Sequence, residues 1–477
     1  MISDLRRKAC SGLHRMQMAE ELNTARLRRI AIRLLLCLVF VLPVRSLAQE
    51  TASDGAAVPL LTLDDAVSLA LENNRLVKNS RLEAQKQDFE VSTIRTKRLP
   101  EFKFSMLGGE LLQPFDFTFP AGSLGTYPGI GPIPSQTAQI HQAAQFATFS
   151  TGSIAQSLTQ QYKIGLGIRA TELGRDIANE DVRGECQKIA AEVRSAYFQL
   201  VATQAGLDAA REAVKTLQEA QRITAQHEAE MTVLRADALE VDARLAKAQY
   251  ELSVAENGLA TQHEHLNQLL GRDVDSPFRV DFMPEEDTTT LTLQDARQAA
   301  SQNRPEIRTA QLKEKQAEYD RRLAKADYIP DVSAWAGYMG IQNVQFVPKN
   351  VEVAGFLLTW EPFDWGRRRN AVREKAKVVE QARNGTQETE AQIAVEVGQK
   401  YRKWREASLL LKASRTAHEA AAEQFRVTGN KYQEQAALLK DLLQAQAQSS
   451  ETTSQYQQAL SSYWSALADL RKAMGEE

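Results

Sequence analysis

Several groups of residues have types that chemistry could use, and each meets a physical objection. Gly165-Leu-Gly167-Ile-Arg-Ala170 imitates the GxGxxA cradle of a dinucleotide site. That cradle works between a strand and a helix of a βαβ unit, with an acid about 20 residues further on. Here alternating strand residues precede it and a long helical pattern follows, so the glycines read as easing a strand-to-helix bend. His263-Glu264-His265 suggests a metal pair, but residues two apart on a helix point about 200° away from each other. His141, His227 and His418 are scattered, and HExxH is absent. Arg367, Arg368 and Arg369, at a strand-to-helix junction, could hold phosphate or face lipid headgroups and water at a membrane edge. Trp335, Tyr338, Trp360 and Trp365 could stack on a ligand; in or beside membrane strands they read as an interfacial aromatic girdle. GxSxG, Walker, CxxC and Cys/His nucleophile patterns are all missing. The sequence therefore predicts no enzyme, no cofactor and no metal.

The elements that would position these residues come from one pattern written twice. Leu61 begins LTLDDAVSLALENN and Leu291 begins LTLQDARQAASQNRPEI. An offset of 230 puts Leu63 on Leu293, Asn73 on Asn303 and Pro100 on Pro330. Later the offset is 204, with Val193 on Val397, Tyr197 on Tyr401, Asp237 on Asp441 and Gly271 on Gly475. The first half thus carries a surplus of 26 residues between Pro100 and Val193. A repeat of this kind governs the architecture.

Each half reads as a helix, a β-hairpin and two long helices. Leu61–Lys97 is helical by spacing and free of proline. Glu101–Met106 and Phe115–Phe119 alternate as half-exposed strands, residues 120–136 are a Gly/Pro-rich loop, and Phe146–Leu158 is a returning strand. The 26-residue surplus fits this strand–loop–strand section. From Tyr162 to Leu270 there is no proline, which predicts long helix with a single break. Leu245, Leu252, Leu259 and Leu266 recur every seven residues as a coiled-coil seam. Gly271–Thr290 is the linker between halves. The second half repeats the order, with strands Val332 to about Phe346 and Val351–Trp360 and helix onward to Leu470. The expected organisation is thus residues 1–48, 49–290 (hairpin about 101–158, helices 162–270) and 291–477 (hairpin about 331–360). Four strands per chain cannot close a barrel, and open edges are excluded from a bilayer, so closure must come from other copies.

Residues 26–48 read as a secretory signal peptide: a basic end, an apolar core from Leu34 to Val44, and Ser46-Leu47-Ala48 at the cleavage positions. The core is too short to remain as an anchor. Residues 1–48 carry net charge +6 and the remainder −9, and an acidic mature chain argues against a nucleic-acid partner. Of three cysteines only Cys186 lies beyond the signal, so no internal disulfide forms. Leu36 before Cys37 makes a lipid anchor unexpected.

Taken in order, these segments resemble the outer membrane efflux proteins, the TolC-like channels of Gram-negative envelopes. The paired LTL openings, Arg98-Leu-Pro100, Tyr328-Ile-Pro330, Gly355-to-Val372 (GFLLTWEPFDWGRRRNAV), Leu438–Ala445 and Leu470–Gly475 all match that family's pattern. The resemblance implies a homotrimer with a 12-stranded outer membrane barrel and a periplasmic helical tunnel. Substrate would arrive from an inner-membrane pump through a periplasmic adaptor, with efflux of small molecules or metal ions favoured over protein secretion. It further implies a periplasmic gate at Asp441, with Asp237 its partner in the repeat, Tyr432 beside it, and Gln444 where some members carry a second acid. Asp441 as a solvated or helix-bonded charge stays open at this point. The adaptor-facing helix tips fall on Met231 and Gln435, where the family usually has glycine. A periplasmic coiled-coil scaffold without a pore is the competing reading, and it has no use for alternating strands or a Gly/Pro external loop.

Overall fold

A computed structural model describes residues 59–229, 234–281, 291–344, 347–434 and 436–476. The signal segment, Met231, Gln435 and the end of the linker lie outside these residues.

The first strand, β1 (Leu60–Leu61), leads into α1 (Leu63–Asn73) and α2 (Arg75–Thr96). Thr62 starts α1 because its hydroxyl accepts from Asp65 N–H at 3.2 Å while donating to the Asp65 carboxylate at 2.7 Å. The expected single helix over Leu61–Lys97 is broken at Asn74, whose extended backbone (ψ 132) ends one helix and starts the next. Asn74 Oδ1 accepts from Leu76 N–H at 2.8 Å and its Nδ2 donates to Leu269 O at 2.8 Å. A side-chain amide can satisfy both helix ends where apolar spacing gives no warning.

The hairpin region follows: β2 (Glu101–Glu110), β3 (Phe115–Phe119), β4 (Thr126–Tyr127), β5 (Gly131–Pro132), β6 (Ala138–Gln142) and β7 (Phe146–Ser157). The stretch expected to be plain loop thus holds a short ladder of its own. Next come α3 (Gln160–Ala229), α4 (Arg235–Leu270) and β8 (Arg279–Val280), which pairs in parallel with β1. The second half runs α5 (Leu293–Asn303), α6 (Pro305–Ala326), β9 (Asp331–Gln342), β10 (Asn350–Thr359), α7 (Arg367–Gln433) and α8 (Leu439–Met474). β9 stops at Gln342, short of the expected Phe346, because Asn343 turns the chain at φ 64.

Helix bounds coincide under the two sequence offsets: α1 and α2 with α5 and α6, and α4 with α8. The two longest helices, α3 with 70 residues and α7 with 67, span about 100 Å at 1.5 Å per residue. α3 packs beside α2 and α6 towards the sheet end, and beside α4 and α8 at the other; α7 packs beside α6 and α8. The helices therefore form a layer in which α2 and α4, and likewise α6 and α8, serve as two lengths of one rod.

Core side chains sit at the level where those rods change over. Ile189, Val193, Leu200, Leu266 and Leu270 pack with α1 residues, and Val397, Leu411, Tyr463 and Leu470 with α5 residues. Trp464 touches both clusters, stacked on Phe198 at 5.4 Å. Tyr197 Oη donates to Leu61 O at 3.0 Å and Tyr401 Oη to Leu291 O at 3.1 Å, so each half ties its α1 or α5 entry the same way.

At this level Gly271 and Gly475 close α4 and α8 with φ of +69° and +81°. A Cβ on Gly271 would come 2.4 Å from Asn73 O, and one on Gly475 would come 2.7 Å from the Asn303 carbonyl carbon. Both are left-handed helix ends jammed against the turn of the neighbouring rod. Gly271→Ala and Gly475→Ala should each lower unfolding free energy by about 1–3 kcal/mol. Gly385→Ala, where a Cβ meets nothing within 4 Å inside α7, should be neutral or stabilising by up to about 1 kcal/mol. Denaturant unfolding of the three variants checks this contrast.

Candidate functional site

Two ends of the helical layer carry the candidate groups, and they differ in kind. At one end β2, β7, β9 and β10 form an antiparallel sheet in the order β10-β9-β7-β2. Among the described residues its outer strands each have one free edge: β2 pairs with β7 and β10 with β9. Directly opposed residues share a face. Phe102, Ile154, Ala336 and Ala354 form one row across all four strands.

That face is apolar at its edges: Phe102, Phe104, Met106, Phe356 and Leu358 are between 62% and 79% exposed. The opposite face carries Lys103, Ser105, Thr151, Ser153 and Ser333, with Leu107, Val353 and Leu357 exposed among them. Amphipathic alternation of this kind suits a sheet with hydrocarbon on one side and water on the other.

The four aromatics read from the sequence as one girdle do not share a face. Tyr338 lies on the apolar face, where Oη donates to Asn350 Oδ1 at 2.9 Å. Trp335 lies on the polar one, its ring so close over Gly337 that a Cβ there would approach to 2.4 Å. Their separation of three residues along a strand carries this answer, because side chains alternate. Trp360 follows β10 directly, and Trp365 is 89% exposed in the turn before α7, at φ 55 with its ring edge-on to Phe363.

The arginines after that turn are occupied by acids. Asp364 accepts from Gly366 N–H at 3.1 Å and Arg368 N–H at 2.9 Å, so these amides hold its carboxyl below the ordinary carboxylate range. Arg367 and Arg368 both reach Glu361, at 2.5 and 3.0 Å. Arg368 is 12% exposed and lies over the Tyr328 ring at 5.9 Å. It is a fastener between α7 and the α6–β9 turn rather than a free headgroup contact, and Arg369 remains exposed. Gly165 and Gly167 sit inside α3 rather than in a strand-to-helix turn, and the described residues around them form no βαβ unit.

The far end carries the gate candidates. Asp237 and Asp441 occupy the same place, the third residue of α4 and of α8. The Asp441 carboxylate accepts from Leu438 N–H at 3.3 Å, a charge at a helix N-terminus. Asp441 and Gln444 are exposed and Asp237 partly so. Tyr432, near the end of α7, is partly buried; burial pushes its phenol pKa up, and the Thr224 hydroxyl of α3 offsets part of that shift. Thr224 Oγ1 is buried without a partner in good hydrogen-bond geometry. Sequence reading missed Thr224, yet the 204 offset maps it onto Thr428, a second buried threonine. It also missed Arg244, which joins Glu240 at 2.7 Å and Leu443 O at 3.3 Å and so ties α4 to α8. Below the core, Val241, Leu245 and Leu443 pack with Val214 and Leu217.

Among the described residues no His/Cys/Asp/Glu group is placed to hold a metal ion. No helix among them is long and apolar enough to cross a membrane.

Residues 296–476 match the family model described as outer membrane efflux protein. Solved structures share the fold. CusC is 14% identical with a TM-score of 0.71, covering 90% of this chain and 96% of its own. The Campylobacter jejuni CmeC outer membrane channel is 16% identical at TM-score 0.68, covering 87% and 85%. The outer membrane protein VceC of Vibrio cholerae is 15% identical at 0.67, covering 87% and 96%. No curated protein matches the sequence significantly.

The arginine pair gives a test of the junction. Arg368→Ala should lower thermal stability by about 1–3 kcal/mol, because it strips partners from charged groups. Arg367→Ala, at an exposed ion pair, should stay within about 0.5 kcal/mol of wild type. Equal losses would mean that burial of Arg368 contributes nothing.

Proposed function

We propose that this chain, which carries an outer membrane efflux protein domain on the fold of the TolC-like channels, works as a passive outer membrane export channel built from three copies. The observation that carries this reading is the sheet with two free edges and an apolar face. In hydrocarbon every backbone N–H and C=O needs a partner, so the free edges of β2 and β10 must meet those of other copies. Three copies give twelve strands, closing one barrel; the helical layers then close into a tunnel on the periplasmic side. The Phe102–Phe356 face turns to lipid and the Lys103–Ser153 face to the water-filled lumen, with Trp335 inside.

Substrate movement needs no catalytic group in such a channel, since energy comes from an inner-membrane pump acting through a periplasmic adaptor. Small molecules or metal ions are the favoured cargo. The helix tips at Met231 and Gln435 are the proposed adaptor contacts. Asp441, with Asp237, Gln444 and Tyr432, forms the proposed periplasmic constriction. Three Asp441 carboxylates converging on an axis attract cations and repel anions. Tyr432 against Thr224 holds the end of α7 towards α3, which narrows the opening.

Membrane fractionation with gel analysis tests the assembly: an outer membrane trimer that dissociates on heating is expected, whereas a soluble monomer favours the pore-less scaffold. In planar bilayers, Asp441→Asn should weaken cation preference, and Tyr432→Phe should leave selectivity unchanged while raising open probability. Asp441→Asn leaves an oxygen for the Leu438 amide, so a selectivity change there reads charge rather than lost capping. Unchanged selectivity would reduce Asp441 to a helix cap.

A further inference from the structure

The first-half surplus is spent on a surface feature that nothing above requires. Between β2 and β7 lie residues 111–145, where the second half has only residues 343–349 between β9 and β10. The insertion is built, not slack. β3 and β6 pair over five positions from Phe115↔Gln142 to Phe119↔Ala138. Beyond them Gly122 N–H donates to Pro134 O at 2.9 Å, Leu124 N–H to Ile133 O at 2.9 Å, and Ile133 N–H to Gly125 O at 2.9 Å. Its base is locked to the short loop. Buried Gln142 donates to Asn343 O at 2.9 Å, Gln145 donates to the same oxygen at 3.0 Å, and Asn343 Nδ2 donates to Phe146 O at 2.7 Å. Leu111, Ala147, Ile341 and Val344 pack beneath.

Its chemistry is unusual for a water-facing projection. Across residues 111–145 the charge inventory is Asp116, which pairs with His141 at 2.6 Å. Lysine, arginine and glutamate do not occur in that stretch. Meanwhile Leu112, Leu124, Tyr127 and Ile130 are between 50% and 89% exposed. A rigid projection with that many bare apolar side chains has something to cover them.

Two occupants compete, and charge separates them. A loop lying outward on the membrane would meet anionic, phosphate-rich headgroups, for which clustered Lys or Arg is the usual complement; there is none. Copies meeting about a symmetry axis place like against like, so any net charge repels itself and apolar contact is the favoured solution. Reach allows it. Twelve strands about 4.8 Å apart, tilted about 40°, close on a radius of about 12 Å, and the five-residue β3–β6 ladder alone runs about 17 Å.

We infer that the insertions of three copies, through Leu124, Tyr127 and Ile130, pack against one another over the outer mouth of the barrel as an apolar lid. This rests on the trimeric reading above. The lid restricts small-solute entry from outside and parts when cargo presses from the tunnel. Its occupant is a second copy of this chain.

The test uses full-length protein in a Cys186→Ser background. Ile130→Cys should give a cross-linked dimer of chains on mild oxidation, within trimers that run normally on gels before reduction. Ile130→Glu, which sets three like charges together, should raise single-channel conductance severalfold and sensitise cells to large antibiotics. Replacing residues 111–145 by residues 343–349 should do the same. Intact trimers with no cross-link and unchanged conductance in both variants would overturn the lid. So would a fluorophore at position 130 quenched by nitroxide lipids in vesicles, since that places the loop on the membrane. Absence of trimers would overturn the assembly itself, and the lid with it.

Discussion

Everything in this molecule answers to the free hydrogen-bonding edges of β2 and β10. A four-stranded sheet that leaves ten-residue strands unpaired at both sides is untenable as an isolated membrane structure. Among the described residues no strand is left to cover those edges, because β3 pairs with β6, β4 with β5 and β1 with β8. On the proposed trimeric reading, the fold of a single copy is a fraction of a closed object. The free edges lie above a layer of helices whose own outer members likewise have a neighbour on one side.

The helical layer must hold that fraction in a fixed shape over about 100 Å. It does so by concentrating rigidity at one level, where α2 meets α4 and α6 meets α8. There the left-handed glycines, Asn74 or Arg304 and the tyrosines at 197 and 401 fix how the short rods abut. Arg304 takes the place of Asn74 in the second half, reaching Glu306 at 2.8 Å and Glu396 at 3.0 Å. Toward the far tip the packing thins to smaller clusters, and the contacts become Arg244 to a carbonyl and Tyr432 near Thr224. A region held by few polar contacts opens at lower cost than one held by a core.

Much of this was legible in residues alone, because a duplicated pattern reports on itself. The change of offset from 230 to 204 put the surplus in the hairpin region, where residues 111–145 stand between β2 and β7 against residues 343–349 between β9 and β10. The single break expected in the proline-free stretch lies between Ala229 and Arg235. What escaped was local polar chemistry. Asn74 breaks a helix through two side-chain hydrogen bonds that periodicity cannot register. Arg368 is buried by partners 4 to 40 residues away, and composition shows it only as one of three basic residues. The misplaced aromatic is of another kind: Trp335 and Tyr338 were grouped by type, although strand alternation already set them on opposite faces.

The asymmetry between halves then becomes informative. At Gly271 and Gly475, and at Tyr197 and Tyr401, both copies do the same mechanical work and the residues are kept, although Arg304 replaces Asn74. Where only one copy can do the work, they diverge. An axial lid needs one projection per chain, since a second from the other hairpin would crowd the same space; only the first hairpin is extended. Of the gate candidates, Asp237 and Asp441 match across the repeat, whereas Tyr432 has glutamate at the matching residue 228. On the proposed reading that difference lets one half of the tip move against the other.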